Sequence, residues 1–140
     1  MVANYPIHDL FIEKLELVGA DSWSSLQAYI YEDHLLKRLG LIEWIQLVAG
    51  DSIPKFMRSQ ADELWTLIDG KAVFEWKDKR ENSPTYNASH SLIAQSPLRL
   101  LVPFGVEFMV SAKTDCTLLR ISSHAGALGE HQIQDSPSGA

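Results

Sequence analysis

A single cysteine, Cys116, rules out an intrachain disulfide and the paired cysteines of a structural zinc site. A reducing cytoplasm suits such a chain. Positive charge is also in short supply: 12 Lys and Arg stand against 18 Asp and Glu, for a net charge of -6, and the basic residues are scattered among acids. That excludes the basic stripe a nucleic-acid partner requires. No apolar run approaches the roughly 20 residues needed to span a bilayer. The N-terminal stretch MVANYPIHDLFIEKL has acids and a proline where an export signal needs a basic start and an apolar run. The expectation is a soluble, unexported cytoplasmic protein with no membrane association. The five histidines, His8, His34, His90, His124 and His131, are dispersed, with none spaced i, i+2 or i, i+4, and read as surface residues rather than metal ligands. A glycine-rich phosphate loop and a nucleophile elbow are missing too.

What is present is apolar and short-ranged. With 140 residues at 46% hydrophobic, the chain can bury about two-thirds of its unfolded surface, enough for one core. The stretch LWTLIDGKAVFEWK holds two runs rich in Trp, Ile, Val and Phe around Asp69-Gly70, a dipeptide suited to a tight hairpin. LRLLVP, FGVEFMVSA and CTLLRIS are further short strands, broken at Pro103-Phe104-Gly105 and Lys113-Thr114-Asp115. Strands with turns about every ten residues describe an all-β sandwich or barrel. One segment, EDHLLKRLG, predicts a two-turn helix, with Asp33 as N-cap, Leu35, Leu36 and Leu39 on one face, and Gly40 as the stop. The reading is a single domain over 1–123 and a loose polar tail over 124–140. The charged run KDKREN is expected at the solvated end of a hairpin.

The segment 50–70 begins and ends on glycine. Its spacing, Gly50, Phe56, Met57, Arg58, Glu63, Gly70, then Pro103-Phe104-Gly105 and Phe108, resembles the two motifs of the cupins, small jelly-roll barrels that hold a metal on three histidines and a glutamate. Three of those four ligand positions carry Phe56, Arg58 and Phe108. Phenylalanine has no lone pair, and arginine offers only donors and a fixed positive charge. The expectation is a metal-free barrel with no cofactor.

A narrower resemblance follows. Asp78-Lys79-Arg80-Glu81-Asn82-Ser83-Pro84-Thr85-Tyr86 is similar to the D-x-R-x-x-S-P-T-F stretch of the dTDP-4-dehydrorhamnose 3,5-epimerases, RmlC-like cupins of deoxysugar biosynthesis. The likeness covers about residues 20–122. It implies a cupin jelly roll with one short helix, and a small-molecule ligand of the nucleotide-sugar kind. It also makes Arg80, beside Asp78, a candidate to position a nucleotide or to brace a dimer. The family's catalytic positions are altered, however. The stretch that should carry the histidine base reads Ile53-Pro54-Lys55-Phe56-Met57, a pocket lysine is replaced by Glu63, a second histidine by Phe108, and the tyrosine acid falls near Leu119. Removing a proton beside a ketone needs a positioned base and a donor for the enolate oxygen. The double epimerisation is therefore expected to be absent.

Period-two alternation puts Phe104, Val106, Phe108 and Val110 on one strand face and Phe56, Arg58 and Gln60 on another. Taken with what the resemblance implies for Glu63 and Arg80, the candidate ligand-binding residues are Phe56, Arg58, Gln60, Glu63, Phe108 and Arg80. Three readings stay open. The first is a barrel that binds a sugar-nucleotide-like or other anionic ligand through Arg58 without the family machinery. The second is an active metal-independent isomerase or epimerase with Glu63 as base. The third is a ligand-free interaction module in which Arg58 and Glu63 only neutralise one another. Trp44, Trp65 and Trp76 read as core or interface. Jelly-roll sheet edges invite a symmetric partner, so a homodimer is expected.

Overall fold

In the computed structural model, residues 7–20, 23–28 and 39–125 are described. Eleven strands run in chain order: β1 (Phe11–Lys14), β2 (Val18–Ala20), β3 (Trp23–Ser25), β4 (Leu41–Leu47), β5 (Ser52–Phe56), β6 (Glu63–Asp69), β7 (Lys71–Asp78), β8 (Ser89–Gln95), β9 (Leu98–Val102), β10 (Val106–Ala112) and β11 (Cys116–Ser122). The protein is all-β, with no helix among the described residues; the expected helix lies outside them except for Leu39 and Gly40, which are not helical, and the tail from residue 126 lies outside them.

Two antiparallel sheets face one another, ordered β1-β9-β6-β11-β4 and β5-β10-β7-β8, with β2 and β3 forming a separate small hairpin. From β4 to β11 the chain passes from one sheet to the other at every connection except β7 to β8, which is the jelly-roll pattern. Alternation explains which residues meet inside. Ala72, Phe74 and Trp76 of β7 lie beside Val106, Phe108 and Val110 of the neighbouring β10, and together they face Trp65 and Leu67 of β6 across one buried core.

The Asp69-Gly70 turn requires a correction. Both flanking strands form where the sequence places them, but they do not pair with each other. β6 lies between β9 and β11, and β7 lies between β10 and β8, so the chain steps between sheets at Gly70. A dipeptide can specify a reversal, yet the choice of partner is made by the neighbours already flanking each strand. Gly70 has φ +104°, and a Cβ there would lie 2.3 Å from the Asp115 carbonyl oxygen, so both backbone angle and space demand glycine. The KDKREN run spans the end of β7 and the start of the connection to its hairpin partner β8, but it is not all solvated, because Asp78 within it is buried.

Candidate functional site

Alternation along β6 turns Glu63 inward with Trp65 and Leu67, while along β11 it turns Arg120 inward with Cys116 and Leu118. Arg58 follows the end of β5 and folds back into the same space, where its side chain is 7% exposed and that of Glu63 3%. Each oxygen of Glu63 is doubly engaged. Oε1 accepts from Trp65 Nε1 at 3.0 Å and from Arg120 Nε at 2.9 Å; Oε2 accepts from Arg58 Nη1 at 3.0 Å and, in a tight contact, from Arg120 Nη2. Arg120 Nη1 also donates to Glu43 Oε1 at 3.0 Å. A carboxylate has about four lone-pair positions, and four donors fill them here. Burial alone would ease the proton off Arg120, but its bonds to Glu63 and Glu43 hold its pKa above the ordinary value. The guanidiniums of Arg58 and Arg120 and the carboxylates of Glu63 and Glu43 offset one another, as a low-dielectric site requires. On its outer side, Arg58 Nη2 donates to the Ala125 carbonyl at 3.0 Å.

Beside this cluster the barrel is filled with rings. The Phe108 ring centroid lies 5.1 Å from Trp65, 5.8 Å from Phe56, 5.9 Å from Trp76 and 6.1 Å from Phe74, and all five side chains are buried. Cavities among the described residues open elsewhere. One, of about 350 Å³, lies across the outer face of the four-stranded sheet between Lys55, Lys77, Glu75 and Glu107. Another, of about 440 Å³, lies beside the β2–β3 hairpin at Glu13, Glu16 and Arg99. Neither is lined by Arg58 or Glu63.

The structure therefore brings Phe56, Arg58, Glu63 and Phe108 together and leaves two expected neighbours out. Gln60 is exposed beyond the end of β5, where strand alternation no longer applies, and Phe104, 48% exposed, sits in the turn before β10. Arg80 belongs to a different assembly. Its Nε lies 2.9 Å from Asp78 Oδ1, and its Nη2 donates to Asp78 Oδ2 at 3.1 Å and to the His8 carbonyl at 2.7 Å. Asp78 also accepts from Ser83 Oγ at 2.6 Å and Thr85 Oγ1 at 2.7 Å. The Asp-x-Arg-x-x-Ser-Pro-Thr stretch thus ties a loop around one buried carboxylate and fastens the N-terminal segment to it. Burial would raise the Asp78 pKa, but the donors Arg80, Ser83 and Thr85 outweigh it and hold the group well below the usual carboxylate range.

The site does not fit a metal. Phe56 and Phe108 have no donor atoms, Arg58 repels a cation, and Glu63, the carboxylate at the motif position, has its lone pairs taken. Among the described residues no three His, Cys, Asp or Glu side chains form a metal-holding group.

Neither a protein-family profile nor a curated relative matches the sequence. Solved structures do match the fold. A dTDP sugar isomerase from Desulfovibrio desulfuricans G20 aligns over 96% of this chain and 94% of its own, with 17% identity and a TM-score of 0.77. The dTDP-4-dehydrorhamnose 3,5-epimerase of Elizabethkingia anophelis NUHP1 aligns over 91% and 75%, at 14% identity and 0.73. RmlC of Legionella pneumophila Philadelphia 1, solved in complex with dTDP-4-keto-L-rhamnose, aligns over 91% and 73%, at 14% identity and 0.76. The fold is that of the RmlC-like cupins.

Within this RmlC-like barrel, sequence reasoning found Arg58 and Glu63 but missed Arg120, Glu43 and the Trp65 indole as their partners. A signal for Arg120 was present. In CTLLRIS, Cys116, Leu118 and Arg120 share the inward face, and a cation at a core position of an apolar strand asks for a buried counter-ion.

Proposed function

We propose that this chain is a metal-free RmlC-like cupin of the nucleotide-sugar type that binds a small anionic, sugar-nucleotide-like ligand at its Arg58 end and lacks the proton-transfer machinery of 3,5-epimerisation. The observation that carries this reading is the outer bond of Arg58. Its Nη2 rests on the carbonyl of an exposed residue, Ala125, and a phosphate or carboxylate oxygen binds guanidinium more strongly than a neutral carbonyl does. Solved neighbours of this fold were captured with dTDP and dTDP-sugars, which supports a nucleotide-sugar ligand class. An isomerase that uses Glu63 as its base is not supported, because no lone pair of that carboxylate remains for a substrate proton.

A thermal-shift titration with dTDP and dTDP-glucose tests the reading, since ligand at 100 times its Kd adds about 2.7 kcal/mol to stability. Wild type should shift and Arg58→Ala should not, and no deuterium should wash into C3 or C5 of a dTDP-4-keto-6-deoxyhexose. Deuterium wash-in at an enzymatic rate would refute the loss of epimerase chemistry.

A second reading, a ligand-free scaffold, is favoured by the aromatic filling around Phe108. It would be selected by no shift with either nucleotide. Both readings take the protein as a cytoplasmic homodimer. Ile42 and Trp44, 56% and 60% exposed on the edge strand β4, form the candidate contact, and a monomer by light scattering at micromolar concentration would remove the dimer from either reading.

A further inference from the structure

We propose that Ser123–Ala125 is a strap across the Arg58 end of the barrel, that Arg58 is its latch, and that release of the strap gates the anion site. The inference rests on the ligand reading above for the gate, but the latch stands on geometry alone. The strap is pinned from both sides. Ser123 N donates to the Asp62 carbonyl at 3.0 Å, and Asp62 N donates to Ser123 Oγ at 3.0 Å, so the two segments clasp reciprocally. On the other side Gly40 N donates to the Ser122 carbonyl at 2.8 Å. A Cβ on Gly40 would lie 2.7 Å from both the Ser123 oxygen and His124 Cα, so the strap runs directly against glycine backbone. Arg58 then reaches across to the Ala125 carbonyl at 3.0 Å.

This arrangement has the two properties of a gate. Inward, Arg58 is fixed by Glu63 and does not move to meet a ligand. Outward, Ala125 is exposed, His124 half-buried and Ser123 buried but polar, so opening the segment breaks the Ser123–Asp62 clasp and removes no member of the apolar core. An oxygen that takes the place of the Ala125 carbonyl on Nη2 must first displace the strap. The apparent affinity is then the intrinsic affinity scaled by the fraction of chains with the strap open.

The experiment uses the full chain with two readouts. Hydrogen exchange at the Ser123 and His124 amides is followed in wild type, Arg58→Lys and Ser123→Ala, with Leu118 as a core reference. Binding of dTDP is measured by calorimetry on the same proteins. Arg58→Lys should speed exchange at the strap roughly tenfold and leave Leu118 unchanged, and Ser123→Ala should tighten dTDP roughly tenfold. Should Arg58→Lys fail to fold, Ser123→Ala, which leaves the buried cluster intact, carries the gate readout, and Arg58→Gln, which keeps a donor to Glu63 but loses the reach to Ala125, carries the latch readout. Unchanged strap exchange would overturn the latch. Faster exchange with unchanged dTDP affinity, in a protein that binds dTDP, would overturn the gate and leave the ligand reading standing. Faster exchange in proteins that never bind dTDP would sustain the latch, and would sink the ligand reading and the gate together.

Discussion

Glu63→Gln distinguishes a catalytic carboxylate from a structural one, because the two roles predict opposite signatures. A base on a rigid scaffold loses turnover and keeps its stability. The geometry here demands the reverse. The amide replaces one acceptor oxygen with a nitrogen that confronts guanidinium donors, and it removes the negative charge that Arg58 and Arg120 share. Breaking a buried ion pair from one side costs about 3–5 kcal/mol, a large part of the 5–15 kcal/mol that holds a domain together. For 140 residues the unfolding entropy near the midpoint is about 0.29 kcal/mol per degree, so the melting temperature should fall by roughly 10–17 °C. Circular dichroism melting and urea unfolding measure this, with the urea slope unchanged if only the native state is affected. Glu107→Gln is the matched control. Its carboxylate is 25% exposed and lies 3.9 Å from the well-exposed Lys55, a contact worth well under about 1 kcal/mol. A Glu63→Gln protein that melts within about 2 °C of wild type would refute the claim that this carboxylate is held by buried charge.

Three further outcomes follow from the same coordinates. Asp78 is more acidic folded than unfolded, so its contribution to stability is present above its unfolded pKa of about 3.9 and is lost as pH falls through that value and below; the urea midpoint should drop from pH 5 downward, and less steeply in Asp78→Asn. Gly70→Ala should cost at least about 2 kcal/mol, because positive φ is joined by a clash with the Asp115 carbonyl. Gly50→Ala, at φ +92° with nothing within 4 Å of its Cβ, should cost only about 1 kcal/mol, and equal urea midpoints for the two variants would refute the steric argument. Phe108→Ala should remove about 3–5 kcal/mol, since the ring touches four other aromatic side chains in the core; a loss under 1 kcal/mol would mean that the rings do not pack as described.

The parts of the fold that were legible in the sequence are those whose information is local. β6, β7, β9, β10 and β11 announce themselves as apolar runs between Gly, Pro and Asp turns, and each forms where those runs stand. Pairing is not local: nothing in DG tells a chain whether the next strand returns to its neighbour or crosses to a second sheet. The same limit applied at the site. Arg58 and Glu63 are five residues apart and could be joined on paper, whereas Arg120 lies 57 residues from Glu63 and meets it only because β11 lies beside β6. The Asp-x-Arg-x-x-Ser-Pro-Thr stretch was legible as a motif but not as a role. Its role lies in the fold, where its hydroxyls and its arginine all converge on Asp78.

The arginine cluster also explains why restoring histidines would not restore a metal site. In the cupin pattern a divalent cation supplies two positive charges beside the glutamate, and here Arg58 and Arg120 supply two guanidiniums to the same carboxylate. Replacing Phe56, Arg58 and Phe108 with histidine would remove only one of them. Arg120 would still donate to both oxygens of Glu63, through Nε to Oε1 and through Nη2 to Oε2, so the carboxylate would remain occupied and one fixed charge would repel the incoming ion. The triple variant should therefore give no tight-site absorption spectrum with Co²⁺. The same variant with Arg120→Leu, which frees the carboxylate and removes the charge, should give one, provided it folds by circular dichroism. Tight Co²⁺ binding by the triple variant with Arg120 intact would mean that this guanidinium moves aside readily, and would contradict the view that it is locked between Glu63 and Glu43.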